Sequence, residues 1–114
     1  PIVINPTALV VMNRPSFVKY GGCVREGGVL ISNRTLVGNV PKRKGITIVN
    51  IPMTALAHKI GDVRCANMIA VGALIKRSKM LSLKNVITAL QTALKDKEEA
   101  FAKNKQALEK GYKW

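Results

Sequence analysis

The sequence predicts an α/β fold, with a small, mainly parallel sheet followed by three C-terminal helices. Two short continuous apolar runs, residues 8–12 (ALVVM) and 29–32 (VLIS), suit buried strands, and residues 46–51 (ITIVNI), rich in β-branched side chains that favour the pleated surface, make a third. The stretches between them are long enough for crossovers between parallel neighbours. Composition agrees: 47% of residues are hydrophobic but only 4% aromatic, so the core must be built from Val, Ile, Leu, Ala and Met. With 114 residues the chain supports one core, and residues 1–114 are expected to form a single domain.

Taken in order, residues 1–7 carry two prolines and read as an extended lead-in to the first strand. After that strand, Pro15 suits the first position of a short helix to about Tyr20, because its missing N–H would have no partner there anyway. Gly21 and Gly22 supply the left-handed residue that ends such a helix. Beyond the second strand, residues 34–45 lack helical periodicity, and Pro41 with Lys42, Arg43 and Lys44 marks a solvated loop. Pro52 closes the third strand, Thr54 caps a helix over residues 55–60, and Gly61 stops it. Asp62 caps a helix over residues 64–79, whose centre (ANMIAVGALI) is apolar on nearly every side and belongs inside the fold or in an interface. Ser82 opens an amphipathic helix with Leu83, Val86, Ile87, Leu90 and Leu94 on one stripe. Residues 97–110 are helical by propensity, anchored by Phe101 and Leu108.

Charge is the unusual feature. Nineteen Lys and Arg against six Asp and Glu give a net +13, enough to attract polyanions. The cations are scattered through every segment, which argues against a single nucleic-acid groove, and the aromatic side chains that stack on bases are scarce. A small basic nucleic-acid-binding protein is therefore the second reading, resting on charge alone. Cys23 and Cys65 form no pair with metal-ligand spacing, so the chain is expected to hold no zinc or cluster by itself. Nothing suggests secretion, and reduced thiols in a cytoplasmic protein are expected. The longest apolar run is interrupted by Gly72 and falls short of the ~20 residues a membrane span requires.

No catalytic set emerges. His58, the one histidine, has no recognisable nucleophile or carboxylate partner and reads as a packing or surface residue. Cys65 sits near a helix start beside Arg64, where a thiol pKa can fall, but a buried packing role is favoured. Glu98 and Glu99 are adjacent and point apart on a helix. In open α/β sheets ligands gather beyond the carboxyl ends of the strands, which selects Asn13, Arg14, Asn33 and Arg34 as candidate cofactor-binding residues. Asparagine is equally a turn residue. The run Lys42–Lys44 has two readings, a solvated loop or a contact for acidic partners or coenzyme A phosphates. Neither G-x-G-x-x-G nor a P-loop is present.

Four ordered segments carry a resemblance. Asn13-Arg14-Pro15 after ALVVM, residues 26–31 (EGGVLI), residues 51–57 (IPMTALA) and residues 64–74 (RCANMIAVGAL) resemble, in that order, the gamma unit of pyruvate and related 2-oxoacid:ferredoxin oxidoreductases. The segment NMIAVGAL is the most specific, and the likeness runs to Gly111-Tyr112. The resemblance implies a partial Rossmann-like, three-layer fold, and it covers only the later half of the family unit. The strand and glycine-rich loop that open such units are expected from another chain or segment, so this chain would be a split subunit or a fragment. It further implies a complex that oxidatively decarboxylates a 2-oxoacid of the pyruvate or 2-oxoisovalerate type to an acyl-coenzyme A and reduces ferredoxin. Thiamine diphosphate, iron–sulfur clusters and coenzyme A would be held mostly by other subunits, with this chain inactive in isolation. Asn67, inside the most family-like segment, joins the candidate cofactor-adjacent residues on that ground.

Overall fold

The computed structural model describes residues 2–5, 7–78 and 81–114, and only the backbone of residues 2–5. The described residues fall into two compact units, 1–54 and 55–114.

The first unit is a four-stranded sheet in the order β1 (Ile2–Asn5), β2 (Ala8–Val11), β3 (Val29–Asn33), β4 (Thr47–Ile51). The three expected strands are there and pair in parallel: Leu9 stands opposite Leu30, which stands opposite Ile48. The lead-in, expected to be merely extended, is β1, which adds to β2 as an antiparallel edge.

Between β2 and β3 lies α1 (Arg14–Tyr20), and between β3 and β4 the single turn α2 (Arg34–Val37), where a loop was expected. Leu9, Val11, Leu30, Val37 and Val40 form the core on one face, with Phe17, Tyr20, Val24, Ile46 and Ile48 packed against it. Burying each of these larger aliphatic side chains stabilises by about 1.5–3 kcal/mol. The Ser32 hydroxyl is buried in β3 and has no hydrogen-bond partner among the described residues. Gly21 does not end α1 in a left-handed conformation as expected; its φ is −57°. Glycine stands there for space, since a Cβ would lie 2.6 Å from the Phe17 carbonyl oxygen and 2.8 Å from its ring.

The connection from α2 to β4 is held from the sheet. The Asn50 amide donates to the Val40 carbonyl at 3.0 Å, and its oxygen accepts from the Val40 N–H at 2.9 Å. Replacing Asn50 with Ala is expected to cost about 1–2 kcal/mol, one net hydrogen bond or two. Hydrogen exchange at the Val40 amide should accelerate while the β3 amides stay protected.

Helix α3 (Met53–Ile60) follows β4 and ends at Gly61, whose φ of +103° is the left-handed stop the sequence predicts. In the second unit the expected helix 64–79 is divided. A 3-10 turn (Val63–Cys65), capped by the Asp62 carboxylate on the Arg64 N–H, precedes α4 (Ala66–Arg77), and Lys79 lies outside the described residues. Ser82 caps α5 (Leu83–Ala93) through the Asn85 N–H, and α6 (Glu98–Lys113) runs three residues past the expected end. The expected stripe of α5 is real but only half-buried, whereas α4 buries Ala66, Ile69, Ala70, Gly72, Ala73 and Ile75.

Helices α4 and α6 form the tightest packing in this unit. A Cβ on Gly72 would overlap the Leu108 carbonyl, and one on Gly111 would overlap the Ile69 carbonyl. Each helix therefore lays bare backbone against its neighbour, and this close approach, rather than backbone freedom, explains the two glycines. Phe101 is half-buried, so Ala107, Leu108 and Gly111 are the true anchors of α6.

Candidate functional site

Four of the five sequence-predicted candidates, Asn13, Arg14, Asn33 and Arg34, come together at the carboxyl ends of β2 and β3, as the strand order requires. Local folding explains their placement. Asn13 is the N-cap of α1, its Oδ1 accepting from the Ser16 N–H at 3.0 Å. Arg14 follows at the first helical position, is exposed, and donates from Nη1 to the Val37 carbonyl at 2.9 Å, tying α1 to the end of α2. Arg34, also exposed, opens α2.

Asn33 differs from these three in being only 1% exposed. Its Nδ2 donates to the Met12 carbonyl at 3.1 Å and to Thr54 Oγ1 at 2.9 Å, while its Oδ1 accepts from the N–H groups of Met53 at 3.0 Å and Thr54 at 3.3 Å. An amide has two donors and two acceptor positions, and all are engaged. One side chain thus joins the ends of β2 and β3 and caps α3, whose first N–H groups would otherwise lack partners. The sequence reading gave that cap to Thr54; the structure starts α3 at Met53 and supplies the cap from β3. No spacing rule finds a cap some twenty residues away in sequence.

Asn67 belongs to the second unit and is exposed in the first turn of α4. His58 is exposed on α3, in agreement with a surface role. Cys65 is 1% exposed, and burial, with the nearby Asp62 carboxylate, pushes its thiol pKa up; Lys103 and Arg64 oppose this less strongly. The helix start does not activate it, and the packing reading holds.

Two consequences are measurable. An aromatic disulfide reagent on the native protein should label the exposed Cys23 at once and Cys65 only at the rate of unfolding. The raised thiol pKa also sets a pH dependence. The folded state holds the proton more tightly than the unfolded chain, so this contribution to stability is complete below the ordinary thiol pKa. It is lost as pH rises through the raised folded value, so a Cys65→Ala variant should lose less stability on alkaline titration than the parent.

Among the described residues no three His, Cys, Asp or Glu side chains gather into a set that would hold a metal. The chain has two cysteines, too few for an iron–sulfur cluster, which takes four such ligands. No helix among the described residues is long and apolar enough to cross a membrane.

The comparisons agree with this architecture. The gamma subunit of a keto/oxoacid ferredoxin oxidoreductase from Geobacter sulfurreducens superposes with a TM-score of 0.81 at 23% identity, over 94% of this chain and 62% of that one. A 2-oxoglutarate:ferredoxin oxidoreductase from Magnetococcus marinus superposes with a TM-score of 0.79 over 93% of this chain and 19% of that one. In sequence, the chain is 32% identical to the 2-oxoglutarate synthase subunit KorC of Methanocaldococcus jannaschii, spanning 98% of this chain and 60% of the relative. It is 27% identical to the ketoisovalerate oxidoreductase subunit VorA of Methanothermobacter marburgensis, spanning all of this chain but 24% of the relative. The chain thus covers between a quarter and three-fifths of these relatives' lengths. The model of the pyruvate ferredoxin/flavodoxin oxidoreductase family matches residues 1–114, and the chain belongs to that family.

Proposed function

We propose that this chain is a non-catalytic or cofactor-adjacent component of a multi-subunit 2-oxoacid:ferredoxin oxidoreductase. The complex would convert a 2-oxoacid of the pyruvate or 2-oxoisovalerate type to an acyl-coenzyme A and pass the electrons to ferredoxin. The observation that carries this reading is the family match over the whole of residues 1–114. The names of the sequence relatives, a ketoisovalerate oxidoreductase subunit and a 2-oxoglutarate synthase subunit, support a 2-oxoacid as the substrate class. Thiamine diphosphate, the clusters and the larger part of the coenzyme A site belong in this reading to other subunits. The glycine-rich half of the family unit comes from another chain or segment. The complex works in the cytoplasm.

Within it, residues 1–114 act as one domain that presents the carboxyl ends of β2 and β3. Asn13, Arg14 and Arg34 are the groups that meet a cofactor or a neighbouring subunit there. Asn33, closed to solvent, positions them by holding the two strand ends and α3 in register. Asn67, exposed on α4, turns toward another subunit.

The test is reconstitution. The remaining subunits, assembled with and without this chain, are assayed for 2-oxoacid-dependent ferredoxin reduction. Activity that appears only with the chain, while the chain alone has none, supports the reading; full activity without it contradicts it.

A further inference from the structure

We propose that a basic cleft at the amino-terminal edge of the sheet docks an acidic, partly apolar segment of another subunit. The proposal rests on the reading of this chain as part of an oxidoreductase complex. The cleft has a volume of about 330 Å³ and is lined by Val24, Glu26, Arg43, Lys44 and Ile46. These residues lie just before β3 and β4, at the opposite end of the parallel strands from Asn13 and Asn33. It is thus a separate surface from the candidate site above.

The loop that carries its cations is held in place at several points. Asn50 binds both backbone groups of Val40. The Gly27 N–H donates to the Gly45 carbonyl, and Gly45 takes a φ of +86° that other residues rarely adopt. Arg43 donates from Nη2 to the Gly21 carbonyl at 2.6 Å. A charge presented by a fixed loop loses little conformational freedom when a partner arrives, so more of the attraction remains as affinity.

The cations are also uncompensated. Lys44, which lines the cleft, and Arg25 and Lys42, neighbours in sequence of its lining residues, are exposed and have no ion-pair partner among the described residues. Glu26 is the sole acidic residue in positions 1–54. Val24 and Ile46, both half-buried, give the cleft an apolar lining. Carboxylates spaced around an aliphatic side chain match this pattern, and a basic group beside them would meet Glu26. A phosphate chain fits less well: Glu26 would oppose its closely spaced charges, and no aromatic ring lines the cleft to stack a base. Electrostatic complementarity of this kind selects partners and speeds their encounter.

The test uses the chain assembled with the other subunits of its oxidoreductase. A carbodiimide cross-linker joins amines to touching carboxylates, and peptide mass spectrometry then locates the links. Lys42 or Lys44 should be joined to Asp or Glu of one subunit. The K42E/K44E double variant should bind the assembly at least tenfold more weakly at low salt, with a flatter salt dependence and an unchanged melting temperature of the free chain. If the complex forms and the double variant binds as tightly as the parent, the docking site is wrong while the subunit reading stands. If no complex forms with the parent chain, both fall. If the links are absent and the variant instead loses affinity for a single-stranded RNA probe, the cleft serves nucleic acid and the proposal is overturned.

Discussion

Replacing Gly72 with alanine is expected to lower the stability of the chain by about 3 kcal/mol or more, the upper range for an overpacked core. For a domain of this size that lowers the melting temperature by roughly 10–20 °C. The cause is steric. The new methyl group would occupy the space of the Leu108 carbonyl and crowd the Tyr112 N–H, and backbone yields less readily than a side chain tip. Helices α4 and α6 must separate, and the buried side chains Ile69, Ala73 and Leu108 lose their contacts as they do. Gly111→Ala attacks the same crossing from the other side, against the Ile69 carbonyl, and should cost as much. The two changes act on one helix crossing, so the double variant should cost less than the sum of the singles. Gly22→Ala is the control: nothing lies within 4 Å of its added Cβ, and the melting temperature should hold. Equal, small effects at all three positions would refute the close crossing.

Replacing Asn33 with leucine, a side chain of similar size, is the second large effect. It removes every polar atom from a junction where four hydrogen bonds converge. The Met53 N–H is left in a buried place without its acceptor, and each such orphan costs about 1–3 kcal/mol. A total near 3 kcal/mol is expected, since the Thr54 hydroxyl and the Met12 carbonyl have more freedom to find other partners. The loss should be local in origin. Amide exchange in the first turn of α3 should accelerate more than exchange in α6, whose packing does not depend on Asn33. A loss below about 0.5 kcal/mol, the ordinary surface value, would show that the junction is not structural.

Strands β2 and β3 were legible because burial on both faces leaves continuous apolar runs, ALVVM and VLIS. Strand β4, an edge whose burial alternates, was legible instead from the β-branched residues of ITIVNI. Helix α4 was legible, like β2 and β3, from a continuous apolar run. What escaped was of another kind. Strand β1 is an edge of four residues beside two prolines, and its pairing depends on a partner the local sequence does not announce. Helix α2 is a single turn, too short for periodicity to register. Gly21, Gly72 and Gly111 look like flexible positions in sequence, yet at each the structure uses the missing Cβ to admit a neighbour. At the candidate site, strand topology placed Asn13, Arg14, Asn33 and Arg34 together, whereas the division of labour among them was not readable. The quadruple bonding of Asn33 depends on Met12, Met53 and Thr54 meeting in space.

The chain's place in a larger enzyme is tested most directly by mass spectrometry of the intact complex isolated under native conditions with this chain as the tagged component. The account predicts a defined assembly that contains the chain together with subunits carrying thiamine diphosphate and iron–sulfur clusters. A stable monomer of the 12.4 kDa chain, with no such subunits in the native extract, would contradict it.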